Sequence, residues 1–163
     1  MFITVKEHTG AFNRAMRGFT LVEIMIVVFI LGLLVAMAMP NFLRLRLNAN
    51  EQMIRGDLRS FSTANESYRA VQNPPVYAPD IATLIDEHYL DTTWTNPGNK
   101  HGYNFVYNPS GTSLSYSLEA SILNPGVTGI HYYCVDATGV VVMGAAEGMG
   151  TSAGCVGGEP IGQ

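Results

Sequence analysis

The chain has 163 residues, a formal net charge of −4 and 47% hydrophobic residues. This length allows one compact domain plus an accessory segment and excludes a second catalytic domain. The charge is unevenly distributed, because the first eighteen residues carry +2 and the remainder therefore carries −6. An acidic body without clustered Lys and Arg argues against nucleic-acid binding, which needs a basic face.

A long apolar segment follows the basic N-terminal region. From Ile24 to Met39 the chain has no charged or hydrogen-bonding side chain. A helix over residues 19–43 would be about 38 Å long, enough to cross a hydrocarbon core of about 30 Å. Arg14 and Arg17 stand just before this segment and predict a cytoplasmic N-terminus with the body of the chain outside.

The helical pattern continues beyond the apolar segment. Apolar residues recur at spacings of three and four, which defines one face of an α-helix: Ile54, Leu58, Phe61, Ala64, Tyr68 and Val71. The opposite face is charged, with Glu51, Arg55, Asp57, Arg59 and Glu66. We therefore predict one helix over residues 19–71, apolar all round in its first half and amphipathic in its second. Pro40 lies inside it and should loosen it locally.

An ordinary secretory signal peptide is the alternative interpretation of the N-terminal segment. Cleavage after Ala38, in the small-residue site Ala36-Met37-Ala38, would release a secreted binding module or small enzyme that begins at Met39. Glu23 argues against this alternative, since a signal peptide has no use for a carboxylate at the edge of its apolar run. The helical pattern also does not stop at the supposed cleavage site.

The run Arg17-Gly18-Phe19-Thr20-Leu21-Val22-Glu23, directly before the apolar segment, resembles the cleavage and methylation motif of type IV prepilins and type II secretion pseudopilins. The resemblance implies cleavage between Gly18 and Phe19, with N-methylation of the new Phe19 amine. It also implies that Glu23 meets the N-terminal amine of a neighbouring subunit during assembly. Pro40 falls where this family commonly has a helix-loosening proline.

The same resemblance implies a structural subunit without enzymatic activity. Its expected partners are prepilin peptidase, an inner-membrane assembly platform with a cytoplasmic ATPase, and further copies or related minor subunits in a helical filament. The subunit would be a single-pass inner-membrane protein before assembly, and part of a periplasmic or cell-surface filament afterwards. Whether that filament is a pilus or a secretion pseudopilus stays open at this point.

The segment after the long helix predicts a short second helix. Asn73-Pro74-Pro75 should end the long helix, because proline cannot continue it. Asp80 is then a suitable N-cap for a helix with Ile81, Leu84, Ile85 and His88 on one face. The stretch from Tyr77 to Asp91 is similar to the segment that follows the long helix in major pseudopilins.

Strand-like alternation begins after the turn sequence Thr95-Asn96-Pro97-Gly98-Asn99. We predict a hairpin that pairs Tyr103, Phe105 and Tyr107 with Leu114, Tyr116 and Leu118 across Pro109-Ser110-Gly111. A third strand, 130–135, should turn through Asp136-Ala137-Thr138-Gly139 into a fourth, 140–143. The predicted fold class is thus α+β, a long helix packed on an antiparallel sheet of about four strands.

The predicted parts of the chain are a leader 1–18, a membrane-spanning assembly helix 19–43, and an extracytoplasmic domain 44–163. This domain comprises the amphipathic half of the long helix over 44–72, the short helix and the sheet over 73–143, and a Gly-rich tail over 144–163.

Two cysteines, Cys134 and Cys155, lie in the C-terminal third. A lone pair downstream of an export segment suits a disulfide in an oxidising compartment, and two buried thiols are the alternative. The tail is rich in Gly, Ala and Ser, so we expect it to be flexible unless the disulfide pins it. In the family, such a C-terminal disulfide often bounds a surface loop, which favours a pilin, whereas the modest length favours a pseudopilin.

No group of residues predicts catalysis or a cofactor. His8, His88, His101 and His131 are scattered without metal-ligand spacing. Asp80, Asp86, Glu87 and Asp91 surround the short helix and are typical of a solvated face. Some major pseudopilins bind calcium in a loop of the sheet region, and calcium stays an alternative because its ligands cannot be matched here.

Overall fold

The computed structural model describes residues 18–94 and 98–162. The predicted leader, apart from Gly18, and residues 95–97 of the predicted turn lie outside this range. The chain divides into two compact units, with the boundary between Met39 and Pro40. We call residues 18–39 the inner unit and residues 40–162 the outer unit, and describe each by itself.

The inner unit consists of the first part of helix α1, which runs over Leu21–Val71 and has Pro40 in its interior. Every side chain from residue 18 to residue 39 is exposed in a single copy, and Phe29, for example, is 67% exposed. By length and composition, α1 is able to cross a membrane. The predicted long helix is therefore present, and its apolar first part has no covering partner within this unit.

In the outer unit α1 buries the predicted apolar face. Ile54, Leu58 and Phe61 are completely buried, and Tyr68 is the last core residue on the helix. Val71 was predicted on this face but is 66% exposed. The prediction for Val71 is wrong because α1 ends at this residue, beyond the contact between Tyr68 and Tyr89, whose ring centroids are 5.9 Å apart.

Helix α2 spans Ile81–Asp86 and begins at the predicted N-cap. One carboxylate oxygen of Asp80 accepts the Thr83 backbone N–H at 2.7 Å and its hydroxyl at 2.9 Å. Ile81 and Leu84 are buried, as expected for the inward face. His88 is not on this helix, because α2 ends at Asp86 and His88 has a positive φ of 64°.

The strands form a six-stranded antiparallel sheet in the order β1-β2-β3-β4-β5-β8, with a separate two-stranded ribbon of β6 and β7. The α+β fold is confirmed. The strand bounds are β1 Gly98–Lys100, β2 Tyr103–Pro109, β3 Tyr116–Ile122, β4 Tyr132–Asp136, β5 Val141–Gly144, β6 Gly150–Thr151, β7 Gly154–Cys155 and β8 Glu159–Pro160.

The four predicted strands correspond to β2 to β5, and both edge strands were missed. Strands β1 and β8 have three and two residues, too few for an alternating pattern. Leu114 and Ile130, which were assigned to strands, lie outside them and are 65% and 55% exposed. Each occupies a connection: Leu114 precedes β3 and Ile130 precedes β4.

Aromatic side chains fill the core between α1 and the sheet. The Phe61 ring packs at an angle against Trp94, Tyr107 and Tyr116, with centroid distances of 5.5, 5.3 and 6.1 Å. The Tyr107 hydroxyl donates to the Ala78 carbonyl at 2.7 Å, and burial raises the pKa of Tyr107 to about 12. Tilted and edge-on ring pairs of this kind add to the stabilisation that burial provides. Aromatic side chains thus fill the core on the side of α1 that faces the sheet.

Candidate functional site

The processing and assembly residues predicted from the motif lie at the start of α1. Gly18 and Phe19 precede the helix, and both are exposed, Phe19 by 83%. A peptide bond outside regular structure is open to a peptidase, because its backbone groups are not committed to a helix. Pro40, the other predicted assembly residue, lies within α1 at the boundary between the two units.

Glu23 is bound to Thr20 at this helix start. One Glu23 carboxylate oxygen accepts the Thr20 backbone N–H at 2.7 Å and the Thr20 hydroxyl proton at 2.8 Å. In return, the Glu23 backbone N–H donates to the Thr20 hydroxyl oxygen at 3.2 Å. This reciprocal arrangement is a capping box, in which two helix-terminal donors are satisfied at once. The Thr-x-x-Glu spacing is the sequence signal for a capping box, although the box was not predicted above.

Glu51 anchors the connection between β3 and β4 to α1. Its carboxylate is buried and accepts the backbone N–H groups of Ile130 at 2.9 Å and His131 at 3.2 Å. Burial by itself raises the pKa of Glu51. The two backbone hydrogen bonds and a hydrogen bond with the His131 side chain outweigh burial, so the pKa of Glu51 lies below its usual value. Glu51 was predicted on the charged face opposite the apolar face of α1. That prediction is wrong, because the connection folds over this side of the helix, where Asn50 also donates to the Thr128 carbonyl at 2.9 Å.

The C-terminal tail is held by a second buried carboxylate. Glu119 on β3 is 5% exposed, and its two oxygens accept the backbone N–H groups of Gly148 at 2.7 Å and Gly150 at 2.8 Å. Strands β6 and β7 cover the outer face of β3, which explains why this strand is buried on both faces. We expected the tail to be ordered only by a disulfide, because it has few apolar side chains. That expectation is wrong, since hydrogen bonds to Glu119 also hold the tail.

The disulfide joins Cys134 on β4 to Cys155 on β7, with a Cα–Cα distance of 6.0 Å. Asp136, the last residue of β4, accepts the Cys155 backbone N–H at 3.0 Å. Burial raises the pKa of Asp136, but its hydrogen bonds from Thr138 and Cys155 outweigh burial and lower the pKa overall. A covalent bond and a charge-assisted hydrogen bond thus fix the same strand.

Of the polar residues noted in the sequence, His8 lies outside the described residues, and the others form no metal site there. Within residues 18–94 and 98–162, no group of three or more His, Cys, Asp or Glu side chains is placed to hold a metal ion. Asp80, Asp86, Glu87 and Asp91 are all exposed, and Asp91 accepts the Thr93 backbone N–H at 2.8 Å. His88 and Asp86 line an open groove of about 610 Å³ beside α2. The four acidic side chains thus lie on a solvated face, as predicted.

Sequence comparisons identify the family. A sequence model described as the prokaryotic N-terminal methylation motif matches residues 13–39. The type II secretion system core protein G of Pectobacterium carotovorum is 30% identical over 69% of this chain and 70% of its own length. The chain belongs to the type IV pilin and type II secretion pseudopilin family. It is a subunit of a type IV pilus or a type II secretion pseudopilus.

Other relatives of this pilin-family subunit fall in both branches. Core protein G of Escherichia coli K12 is 26% identical over 69% of this chain and 92% of its own length. The type IV major pilin PilA of Myxococcus xanthus is 42% identical over 35% of this chain, which spans only 26% of that pilin. No solved structure matches the chain. The resemblance inferred from Arg17 to Glu23 is confirmed, and it favours a filament subunit over a secreted module cut after Ala38.

Proposed function

We propose that this subunit builds the pseudopilus of a type II secretion system. The alignments to core protein G carry this choice. An alignment over 69% of the chain must extend beyond α1, which ends at Val71, into the sheet-forming part. The alignment to the Myxococcus pilin covers 57 residues, or 35% of the chain. This is shorter than the segment from the first residue to the end of α1 at Val71, so the alignment does not require any likeness in the sheet. The proposed role is structural and involves no chemical reaction by the assembled subunit.

In the proposed pathway, prepilin peptidase cleaves between Gly18 and Phe19, and the Phe19 amine is then methylated. The precursor is a single-pass inner-membrane protein with a cytoplasmic N-terminus and the outer unit in the periplasm. An inner-membrane platform, driven by a cytoplasmic ATPase, adds the subunit to a filament that also holds related minor pseudopilins. The exposed Gly18–Phe19 bond and the apolar run behind it support this order of events.

The uncovered apolar surface of the inner unit supports polymerisation. Ile24, Phe29 and Leu34 point to different sides of α1, yet they are 50%, 67% and 59% exposed. Soluble monomers rarely expose a continuous apolar surface of this kind. A bilayer covers it before assembly, and the helices of neighbouring copies would cover it in a filament. Glu23 is proposed to pair with the Phe19 amine of a neighbour, which would neutralise both charges in that apolar setting.

A surface type IV pilus is the second candidate. The disulfide between Cys134 and Cys155 favours it, because it closes a loop near the C-terminus as in many pilins. The type IV wide pilus major component PilA4 of Thermus thermophilus is also similar, at 35% identity over 44% of this chain.

Deletion of the gene separates the two candidates. We expect the deletion strain to accumulate exported enzymes in the periplasm and to keep its surface pili, with secretion restored by the plasmid-borne wild-type chain. Loss of surface filaments with normal secretion would select the pilus instead. Normal secretion together with normal surface filaments would contradict both candidates.

A further inference from the structure

Residues 123–131 form the connection between β3 and β4, and this connection exposes apolar side chains. Val127 is 64% exposed and Ile130 is 55% exposed, and the connection contains no Asp, Glu, Lys or Arg. The connection is nonetheless ordered, because the backbone N–H groups of Val127 and Thr128 both donate to the Asn124 carbonyl at 3.0 Å. The two apolar side chains are therefore presented outward by a hydrogen-bonded loop.

The connection lies against the part of α1 that begins the outer unit. The Asn50 side chain donates to the Thr128 carbonyl at 2.9 Å, and Glu51 accepts the Ile130 backbone N–H at 2.9 Å. Leu47 lies one turn earlier on the same face of α1 and is only 8% exposed. Helical side chains lean toward the N-terminal end of their helix. The folded part of the outer unit therefore extends at least as far as Leu47.

The sequence places the end of the hydrocarbon layer about one helical turn before Leu47. Glu23 and Arg44 are the first charged residues at the two ends of the apolar run, and twenty residues separate them. A helix of twenty residues is about 30 Å long, which is the thickness of the hydrocarbon core. The core thus ends near Leu43, and Leu47 follows about 6 Å farther along the helix. The headgroup layer on each side is about 5–8 Å thick, so Leu47 would lie within it.

We infer that the connection, through Val127 and Ile130, binds the headgroup region of the bilayer that α1 crosses. The partner is a lipid surface, and the apolar side chains of interfacial segments reach about 5–10 Å into the boundary between headgroups and acyl chains. This contact holds the outer unit against the membrane until the subunit enters the filament. The inference rests on membrane insertion, which is one step of the proposed function, and it applies to a pseudopilus and a pilus alike.

A neighbouring copy in the filament is the competing partner for these side chains. The bilayer is favoured because the position of Leu47 along α1 brings the connection to the headgroups of the membrane that holds the same copy. Net charge does not decide between the partners. Arg44 and Arg46 are exposed near this end, but the acidic Glu159 lines an open groove together with His131 of the connection. The contact therefore depends on the apolar side chains.

Fluorescence quenching by labelled lipid tests the contact in the full chain, reconstituted into phosphatidylcholine vesicles so dilute that most vesicles hold one copy. An environment-sensitive fluorophore is attached through Asn124→Cys, and Thr112→Cys is the matched position. Both residues are exposed, and they lie in the connections at opposite ends of β3, a strand about 20 Å long. The native cysteines do not react, because they form the disulfide. A quencher on the lipid should reduce emission from position 124 at least about threefold more than from position 112, given an interfacial depth of about 5–10 Å.

Removal of the apolar side chains should release the connection from the lipid. In Val127→Asn/Ile130→Asn, quenching at position 124 should fall to the level of position 112, because polar side chains gain nothing from leaving water. The backbone bonds of the connection do not depend on these side chains. Leu114→Asn is the control, since Leu114 is 65% exposed and precedes β3, and it should leave quenching at position 124 unchanged.

Equal quenching at positions 124 and 112 in an inserted chain would overturn the inference, and this comparison needs no destabilising variant. Quenching that survives Val127→Asn/Ile130→Asn would also overturn it, as would quenching that appears only when phosphatidylglycerol is added, because the arginines would then carry the contact. A probe at position 124 that is shielded only at high protein density would assign the surface to a second copy instead. A chain that fails to insert into the vesicles would contradict the proposed function itself.

Discussion

Thr20 binds the Glu23 carboxylate through both its backbone N–H and its hydroxyl, at 2.7 and 2.8 Å. The carboxylate therefore has hydrogen-bond donors before any second copy arrives, which lowers the cost of holding it near hydrocarbon. The N-terminal end of the helix also carries partial positive charge and favours an anion there. The same group thus has a local role in α1 and a proposed role in assembly, and the two are separable by mutation.

Replacing Glu23 separates capping from charge. Glu23→Gln keeps an oxygen that accepts from Thr20, whereas Glu23→Ala loses both the cap and the charge. We expect both variants to insert into the membrane and both to form few filaments, because a loss of about 1.4 kcal/mol per contact lowers each association constant about tenfold. Sheared filaments, counted with the native subunit deleted, measure this effect. Normal assembly by Glu23→Gln would assign the role of Glu23 to capping alone.

The mature N-terminus is predicted to be N-methyl-Phe19. Mass spectrometry of the membrane fraction should find a chain that begins at this residue with one added methyl group. Gly18→Leu should leave the full-length precursor in the membrane, because the exposed bond before Phe19 would no longer suit the peptidase. A soluble chain beginning at Met39 would support the signal-peptide alternative instead.

The disulfide between Cys134 and Cys155 should stabilise the outer unit by about 3 kcal/mol, the value of the chain-entropy model for a loop of this size. Unfolding of the full chain in detergent, with and without reductant, measures this contribution. Reductant should have no effect on a Cys134→Ala/Cys155→Ala variant, which is the control. Alkylation of the exported wild-type protein before reduction would show that the bond does not form in the cell.

Glu119→Gln should loosen the tail selectively. A glutamine can present only one oxygen, so Gly148 or Gly150 would lose its acceptor, at a cost of about 1–3 kcal/mol. Hydrogen exchange at these two amides should accelerate, while the amides of β2 and β3 remain protected. Glu147→Gln is the matched control, because this glutamate is exposed and its replacement should change stability by no more than about 0.5 kcal/mol.

Acid should release the connection that Glu51 anchors. The folded-state pKa of Glu51 lies below its unfolded value, so the folded state binds fewer protons and the stabilisation is fully present above the unfolded pKa, about 4.3. It is lost as the pH falls through the lower, folded-state pKa. The unfolding free energy of Glu51→Gln should therefore depend less on pH between about 5 and 3 than that of wild type. Equal pH dependence in the two proteins would contradict this role of Glu51.

The sequence by itself determined the elements that depend on neighbours close along the chain. The apolar run of α1, its amphipathic continuation, the Asp80 cap and the turn after Asp136 each arise from side chains a few residues apart. The motif from Arg17 to Glu23 is equally local, and it was sufficient to identify the family. These features are recognisable because helix periodicity, capping and turn geometry act within one or two turns of chain.

Only the tertiary structure decided where the buried carboxylates act and how the tail is ordered. Glu51 bonds to a residue 79 positions away, and Glu119 to residues 29 and 31 positions away. In the sequence both look like solvated charges, since nothing nearby along the chain covers them. The edge strands β1 and β8 likewise exist only as partners of longer neighbours. The physical reason is the same in each case: a charge is buried, or a strand of two or three residues is formed, only when distant backbone groups arrive to bond with it.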